Sequence, residues 1–338
     1  MTSPQTGASD EILLVSVEGG FGHATLNRPR QLNALSVELI DQLAARLRAW
    51  AVDDTIAAVL VTGAGDRGLC AGGDIKQLYA GVKSGDGPGD FFEHEYAMNL
   101  LIAQYPKPYV VVMDGITMGG GVGISVHGSV RVVTERTLVA MPETGIGLFP
   151  DVGALYCLAR CPGEFGTHLA LTGARMDGPT AIAAGFADHF LPSDRAPELV
   201  AALTAGGASA LQSFAWPETP VAQPTPAWID ECYSGNDVTE IVARLASHPH
   251  PDAVAAATLI GTLSPTSLTV TLAALRRAAT MDIAAVLAQD LVLTGHFVNV
   301  PDLVEGIRAQ LIDKDRTPRW DPPTLADVDP DTVAAFFA

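Results

Sequence analysis

Residues 12–15 and 23–26 are short apolar-rich runs separated by Gly19-Gly20, the pattern of two strands joined by a turn. The second run stops at Asn27-Arg28-Pro29, because Pro29 donates no backbone hydrogen bond. Ser36 is placed to cap a helix running to Trp50, in which Leu39, Ile40, Leu43, Leu47 and Trp50 recur at intervals of three and four. Residues 57–62 and 109–113 are apolar and rich in β-branched side chains, as expected of buried strands. They end at Gly63-Ala64-Gly65 and Asp114-Gly115. Helical spacing returns at about 119–128, 152–160 and 164–171. This alternation predicts an α/β architecture with parallel strand pairs.

The pattern changes near residue 205. Gly206-Gly207 and then Pro217, Pro220, Pro224 and Pro226 predict an irregular connection. Helical patterns follow, up to a proline-rich tail at Pro318, Pro322 and Pro323. No repeat of roughly 20–50 residues is present.

Composition narrows the partners. Across 338 residues, 20 Lys plus Arg stand against 38 Asp plus Glu, a formal charge of −18. That balance excludes nucleic acid as a general partner and disfavours anionic membrane surfaces. With 48% hydrophobic and 17% charged residues the chain can bury a large core. Mean hydropathy is +0.25, yet no run of about 18 consecutive apolar residues marks a membrane span. Residues 1–10 are polar and carry no secretory pattern. Four cysteines do not make a disulfide framework, and the expected setting is a reducing cytoplasm.

Two glycine clusters carry the chemistry. One is Leu69-Cys70-Ala71-Gly72-Gly73-Asp74-Ile75, the other Gly115-Ile116-Thr117-Met118-Gly119-Gly120-Gly121-Val122-Gly123. Glycine exposes backbone N–H groups, and a helix start adds unsatisfied donors with a positive dipole end. One N–H from each loop, converging on a single oxygen, would stabilise an oxyanion; tight turns at strand ends are the plainer account. Nucleotide motifs do not fit: the GxGxxG spacing fails at Ile124, and no GxxxxGK[ST] occurs. Ser125 lacks the last glycine of a GxSxG elbow.

These same residues resemble the crotonase superfamily, the enoyl-CoA hydratase/isomerase family. The likeness runs through Leu26-Asn27-Arg28-Pro29, Asn33-Ala34-Leu35, Cys70 to Ile75, Lys107-Pro108, Met118 to Gly121 and Met141-Pro142-Glu143. His127-Gly128, the stretch Pro142 to Gly153 with Phe149-Pro150-Asp151, Ser264 to Leu268, and Glu305 to Asp315 with Asp313-Lys314-Asp315 resemble its thioester-hydrolysing branch. The resemblance implies a spiral of ββα units. Residues 10–205 would form the core with the CoA and oxyanion loops. Residues 206–338 would form a mainly helical region that completes the site and offers a possible surface for a homo-oligomer.

It also implies an enzyme that hydrolyses a short branched 3-hydroxyacyl-CoA, most directly 3-hydroxyisobutyryl-CoA in valine breakdown. CoA would enter as part of the substrate, with no separate cofactor and no metal. By resemblance the oxyanion N–H groups are those of Gly73 and Gly120, the catalytic carboxylates are Glu143 and Asp151, and Glu95, Gly72, Asp74 and Ile75 contact substrate. Hydratases of the superfamily carry a second glutamate where this chain has Gly123, which argues against simple hydration; hydratase or isomerase chemistry and a non-catalytic acyl-CoA module are the rivals. Glu143 would activate water or attack the thioester itself. On local grounds alone, Asp151 would be an N-cap and Glu95 a solvated helix residue. His248 and His250 lack a third metal ligand, and Cys70 lacks a neighbouring base. Arg28, Arg30, Lys76, Arg308, Lys314, Arg316 and Arg319 compete for the CoA phosphates, and a basic patch is expected at the mouth of the site.

Overall fold

The computed structural model describes residues 11–84 and 88–338; the polar segment 1–10 lies outside them. Nine strands are present among these residues: β1 (Leu13–Glu18), β2 (Phe21–Leu26), β3 (Ala58–Gly63), β4 (Gly68–Cys70), β5 (Tyr109–Met113), β6 (Ile116–Met118), β7 (Val130–Val133), β8 (Leu138–Ala140) and β9 (His189–Phe190). They form a six-stranded sheet in the order β1-β2-β3-β5-β7-β9 and a three-stranded sheet β4-β6-β8. Only β1 and β2 pair antiparallel, with Leu13 opposite Leu26; all other pairs are parallel. Successive strand pairs β3–β4, β5–β6 and β7–β8 each send one strand to each sheet, which is the expected ββα spiral.

Both faces of the large sheet are covered, so its strands read as continuous apolar runs rather than alternating ones. Val59 and Val61 of β3 enter the main core with Leu39, Leu43 and Leu47 of the helix Val37–Ala51. Ala58 and Leu60 face the other way, against Leu199 and Leu203 of the helix Ala196–Gly206. Ser36 caps Val37–Ala51 as expected, accepting the Leu39 N–H at 3.2 Å. Trp50 lies against β2 where Gly22 leaves room; a Cβ at Gly22 would stand 2.8 Å from its ring.

Several expectations need correction. The helix read over 119–128 is α-helical only at Gly120–Gly123 and then tightens into turns, with Ser125 N bonded to Val122 O and Gly128 N to Ser125 O. The helix read over 152–160 is Ala154–Leu158, because Val152 (φ 54°) and Gly153 (φ 75°) are both left-handed. Strands β4, β6 and β8 are three residues long, too short for an alternation to register. The connection near 204–230 contains a short helix, Ser209–Ser213, before Phe214 and Trp216 pack onto the outer layer of the sheet.

The main core continues across position 205. It takes in Val270, Ala274 and Leu275 from the helix Pro265–Ala278, and Val286, Leu293 and Phe297 from the helix Ile283–Phe297. A second cluster joins Leu171 to Trp228, Ile241, Ala253 and Leu272. No single helix among the described residues is long and apolar enough to cross a membrane. All four cysteines are free thiols.

Candidate active site

The two glycine loops leave the ends of β4 and β6, neighbours in the smaller sheet, so the sheet itself brings them together. A Cβ at Gly120 would lie 3.4 Å from the Gly73 nitrogen, and one at Gly72 would lie 3.7 Å from the Gly120 nitrogen. Gly120 opens its helix, so its N–H has no acceptor within it. The Gly73 N–H likewise meets no acceptor among the described residues. Two backbone nitrogens without acceptors, one from each loop, therefore lie close together beside one space. Gly72 sits at φ 113°, a conformation that only glycine adopts readily.

That space is a cavity of about 620 Å³ lined by Gly72, Gly73, Gly120, Glu95, Glu143 and Asp151. Phe91, Ile146, Leu148, Leu259, Leu263 and Leu311 supply its apolar wall. Ile75 also lines it, as expected. Asp74 does not: its carboxylate pairs with Arg28 at 2.8 Å, which removes both groups from the site. A larger groove of about 1130 Å³ runs beside β1 and the helix Val37–Ala51 and shares no residue with the glycine loops.

Three carboxyl groups meet in the cavity without a buried cation. Glu143 begins a 3-10 turn (Glu143–Ile146), is 6% exposed, and its Oε2 has no hydrogen-bond partner. Its Oε1 lies 2.9 Å from where a Gly119 Cβ would stand. Glu95 is 2% exposed rather than solvated, because the helix Phe91–Ala103 is apolar nearly all round and buries both Glu95 and Asn99. Its Oε1 faces Gly120 and is also unpartnered. Asp151 is 4% exposed and accepts the Tyr96 hydroxyl at 2.7 Å. Asp151 is not an N-cap: the following helix is entered through Gly153.

Burial disfavours ionised carboxylates, and mutual repulsion adds to it. Glu143 and Glu95 are pushed well above the ordinary carboxylate range, first by desolvation and then by Asp151. Asp151 is pushed up only to about 6, because the Tyr96 hydroxyl stabilises its ionised form against desolvation. All three carboxyls are thus held above the ordinary range, and Asp151 is the one whose ionised form has a side-chain hydrogen-bond donor. Groups separated in this way can divide acid and base roles.

Three other candidates resolve plainly. Burial raises the Cys70 thiol to about 12, so it is no nucleophile. His248 faces Glu231 at 3.1 Å and His250 accepts the Asp252 N–H, and no metal-holding cluster occurs among the described residues. Arg308 is held by Glu305, Asp313 and Asp315 at 2.6–2.8 Å and is not available to a phosphate. The cation that does line the cavity is Arg175, exposed and without an ion pair among the described residues. Arg175 is a residue that no motif had marked.

A model of the enoyl-CoA hydratase/isomerase family matches residues 21–337. The chain belongs to that family. It is 41% identical to the mitochondrial 3-hydroxyisobutyryl-CoA hydrolase of Gallus gallus, over 99% of this chain and 91% of that one. The Rattus norvegicus protein of the same name is 42% identical over 96% and 88%. Among solved structures, a carnitinyl-CoA dehydratase from Mycobacterium thermoresistibile superposes with a TM-score of 0.92 and 49% identity, covering 97% of both chains. The fold is therefore the crotonase fold. The curated relatives named here are mitochondrial proteins, so the expected cytoplasmic setting draws no support from them.

The dehydratase likeness bears on position 123. The expected second glutamate is absent there, and hydration on this site would have to use Asp151 in its place. A Cβ at Gly123 would stand 2.7 Å from the Val152 Cβ and 2.9 Å from Asn99 Nδ2. There is no room for the start of a side chain, and none for a glutamate.

Proposed function

We propose that this chain hydrolyses the thioester of a short branched 3-hydroxyacyl-CoA, 3-hydroxyisobutyryl-CoA foremost. The reading is carried by one arrangement: the Gly73 and Gly120 nitrogens, without acceptors, line one cavity with Glu143 and Asp151, while position 123 is closed to a carboxylate. The shared name of the curated relatives supports the same acyl group.

The thioester oxygen would sit against the two N–H groups and gain negative charge as water adds to its carbon. Each well-placed donor is worth about 3 kcal/mol to such a transition state. The ionised carboxylate of the Glu143–Asp151 pair takes the proton from water. The tetrahedral adduct then collapses, the C–S bond breaks with its electron pair on sulfur, and the protonated partner returns a proton to the thiolate. Direct attack by Glu143, giving an anhydride that water opens, uses the same groups; single turnover in ¹⁸O-water separates the routes by label in Glu143. Glu95 and Asp151 line the same cavity and would hold the 3-hydroxyl. Arg175 is the cation for a CoA phosphate. No metal or redox cofactor enters these steps.

A thiol-release assay with 3-hydroxyisobutyryl-CoA tests the proposal, with crotonyl-CoA as the control. Release of CoA thiol is expected. Loss of enoyl absorbance from crotonyl-CoA with no thiol released from the hydroxy ester overturns it in favour of a hydratase.

A further inference from the structure

The Val152–Gly153 peptide unit, one residue beyond Asp151, is held at both ends. Its carbonyl, on Val152, accepts the His127 Nε2–H at 2.8 Å. Its N–H, on Gly153, donates to Asp290 Oδ2 at 2.8 Å. Val152 sits at φ 54°, a β-branched residue in the left-handed region, and is completely buried. Such a conformation persists only where the surroundings over-determine it, and it is found where geometry serves a function. The two partners come from different parts of the chain. His127 follows the glycine helix, whereas Asp290 lies on the helix Ile283–Phe297. Asp290 is fully buried and its Oδ1 has no partner, so this peptide is its described contact.

We propose that His127 and Asp290 are positioning residues that grip the Val152–Gly153 peptide from both sides and so aim the Asp151 carboxylate at the substrate. The proposal rests on the reading of Asp151 as a reacting group. Tyr96 fixes the far end of that carboxylate, and the clamp fixes the backbone it hangs from. Burial favours the neutral form of both clamp groups. Desolvation holds the His127 imidazole down to about 4, which leaves Nε2–H to donate, and burial raises the Asp290 carboxyl well above its usual range. A neutral amide can therefore replace Asp290 as acceptor.

The test measures kcat and KM for Asp290→Leu, Asp290→Asn and His127→Phe, each alone and in an Asp151→Asn background. Misplacement of a reacting group costs about 10²-fold, so Asp290→Leu and His127→Phe are expected to lower kcat by about that factor with KM changed less than about threefold. Asp290→Asn is expected to recover to within about fivefold of wild type, because it keeps the acceptor. Where Asp151 is already removed, the clamp has nothing to aim, and a further loss below about threefold is expected. Equal losses in both backgrounds, or an Asn variant as poor as the Leu variant, overturn the clamp. A crystal structure of Asp290→Leu gives a readout independent of the substrate. Val152 is expected to leave positive φ and Asp151 to leave Tyr96; an unchanged turn overturns the clamp whatever the enzyme hydrolyses. Absence of hydrolysis by the wild type overturns the functional proposal instead.

Discussion

Two clusters of three carboxyl groups in this molecule obey opposite rules. Glu305, Asp313 and Asp315 surround Arg308 at the surface and share its one positive charge. Glu305 and Asp315 are held below the ordinary carboxylate range by hydrogen bonds, to Arg308 first for Glu305 and to the Thr317 backbone first for Asp315. Glu95, Glu143 and Asp151 face one another in the cavity with no cation among them, and all three are pushed upward. The surface cluster folds the 313–316 loop next to Gln310 and Leu311 of the cavity wall. The buried cluster favours bound protons, which the proposed hydrolysis would use. What separates structural from reactive carboxyls here is the presence of a partner, since the residue types are the same.

The comparison breaks most readily at Glu143. Glu143→Gln is expected to lower turnover by about 10²–10⁴-fold. The same change is expected to raise the melting temperature at neutral to alkaline pH. The folded protein keeps this proton where the unfolded chain has lost it, so stability falls as pH rises above the ordinary carboxylate range, and glutamine removes that loss. Differential scanning calorimetry across pH checks the sign; a destabilised variant would show that Glu143 is compensated after all.

Next in size is Gly123→Ala. The methyl group meets Val152 and Asn99, and overpacking of this kind costs about 1–3 kcal/mol. A drop in the urea midpoint is expected, with no gain of crotonyl-CoA hydration from Gly123→Glu.

Smaller still is the effect of Tyr96→Phe. Wild-type kcat/KM is expected to rise with pH through about 6 as Asp151 ionises. Removing the hydroxyl that stabilises the ionised form moves that limb to higher pH, which a pH–rate profile reads directly. The smallest effect belongs to Arg308→Gln. Exposed ion pairs contribute little, and kcat at saturating substrate is expected to stay within about threefold of wild type. A large loss would place the surface cluster in the chemistry and erase the distinction between the two clusters.

Some of this site was legible in the chain. The glycine loops could be read because glycine's effect is local: it frees N–H groups and admits conformations such as that of Gly72. Glu143 and Asp151 followed from resemblance, since nothing in their immediate neighbours distinguishes them from turn and cap residues. Glu95 entered the substrate site by resemblance alone, because its helix is apolar on nearly every face and periodicity says nothing about which side is buried. Asp74 lies beside the oxyanion loop in sequence, yet a contact with Arg28, 46 residues away, turns it aside. Arg175 was missed for the converse reason, having no motif of its own.

The sequence by itself determined the strand and helix periodicity, the helix cap at Ser36, the two glycine loops and the lack of a carboxylate at 123. These are properties of single residues or of spacing along one element. Only the tertiary structure decided the charge state of the three carboxyls, the closure of position 123 by Val152 and Asn99, and the left-handed Val152 held by His127 and Asp290. Desolvation, repulsion and backbone strain depend on what lies across the fold, and those neighbours are up to 137 residues apart in the chain.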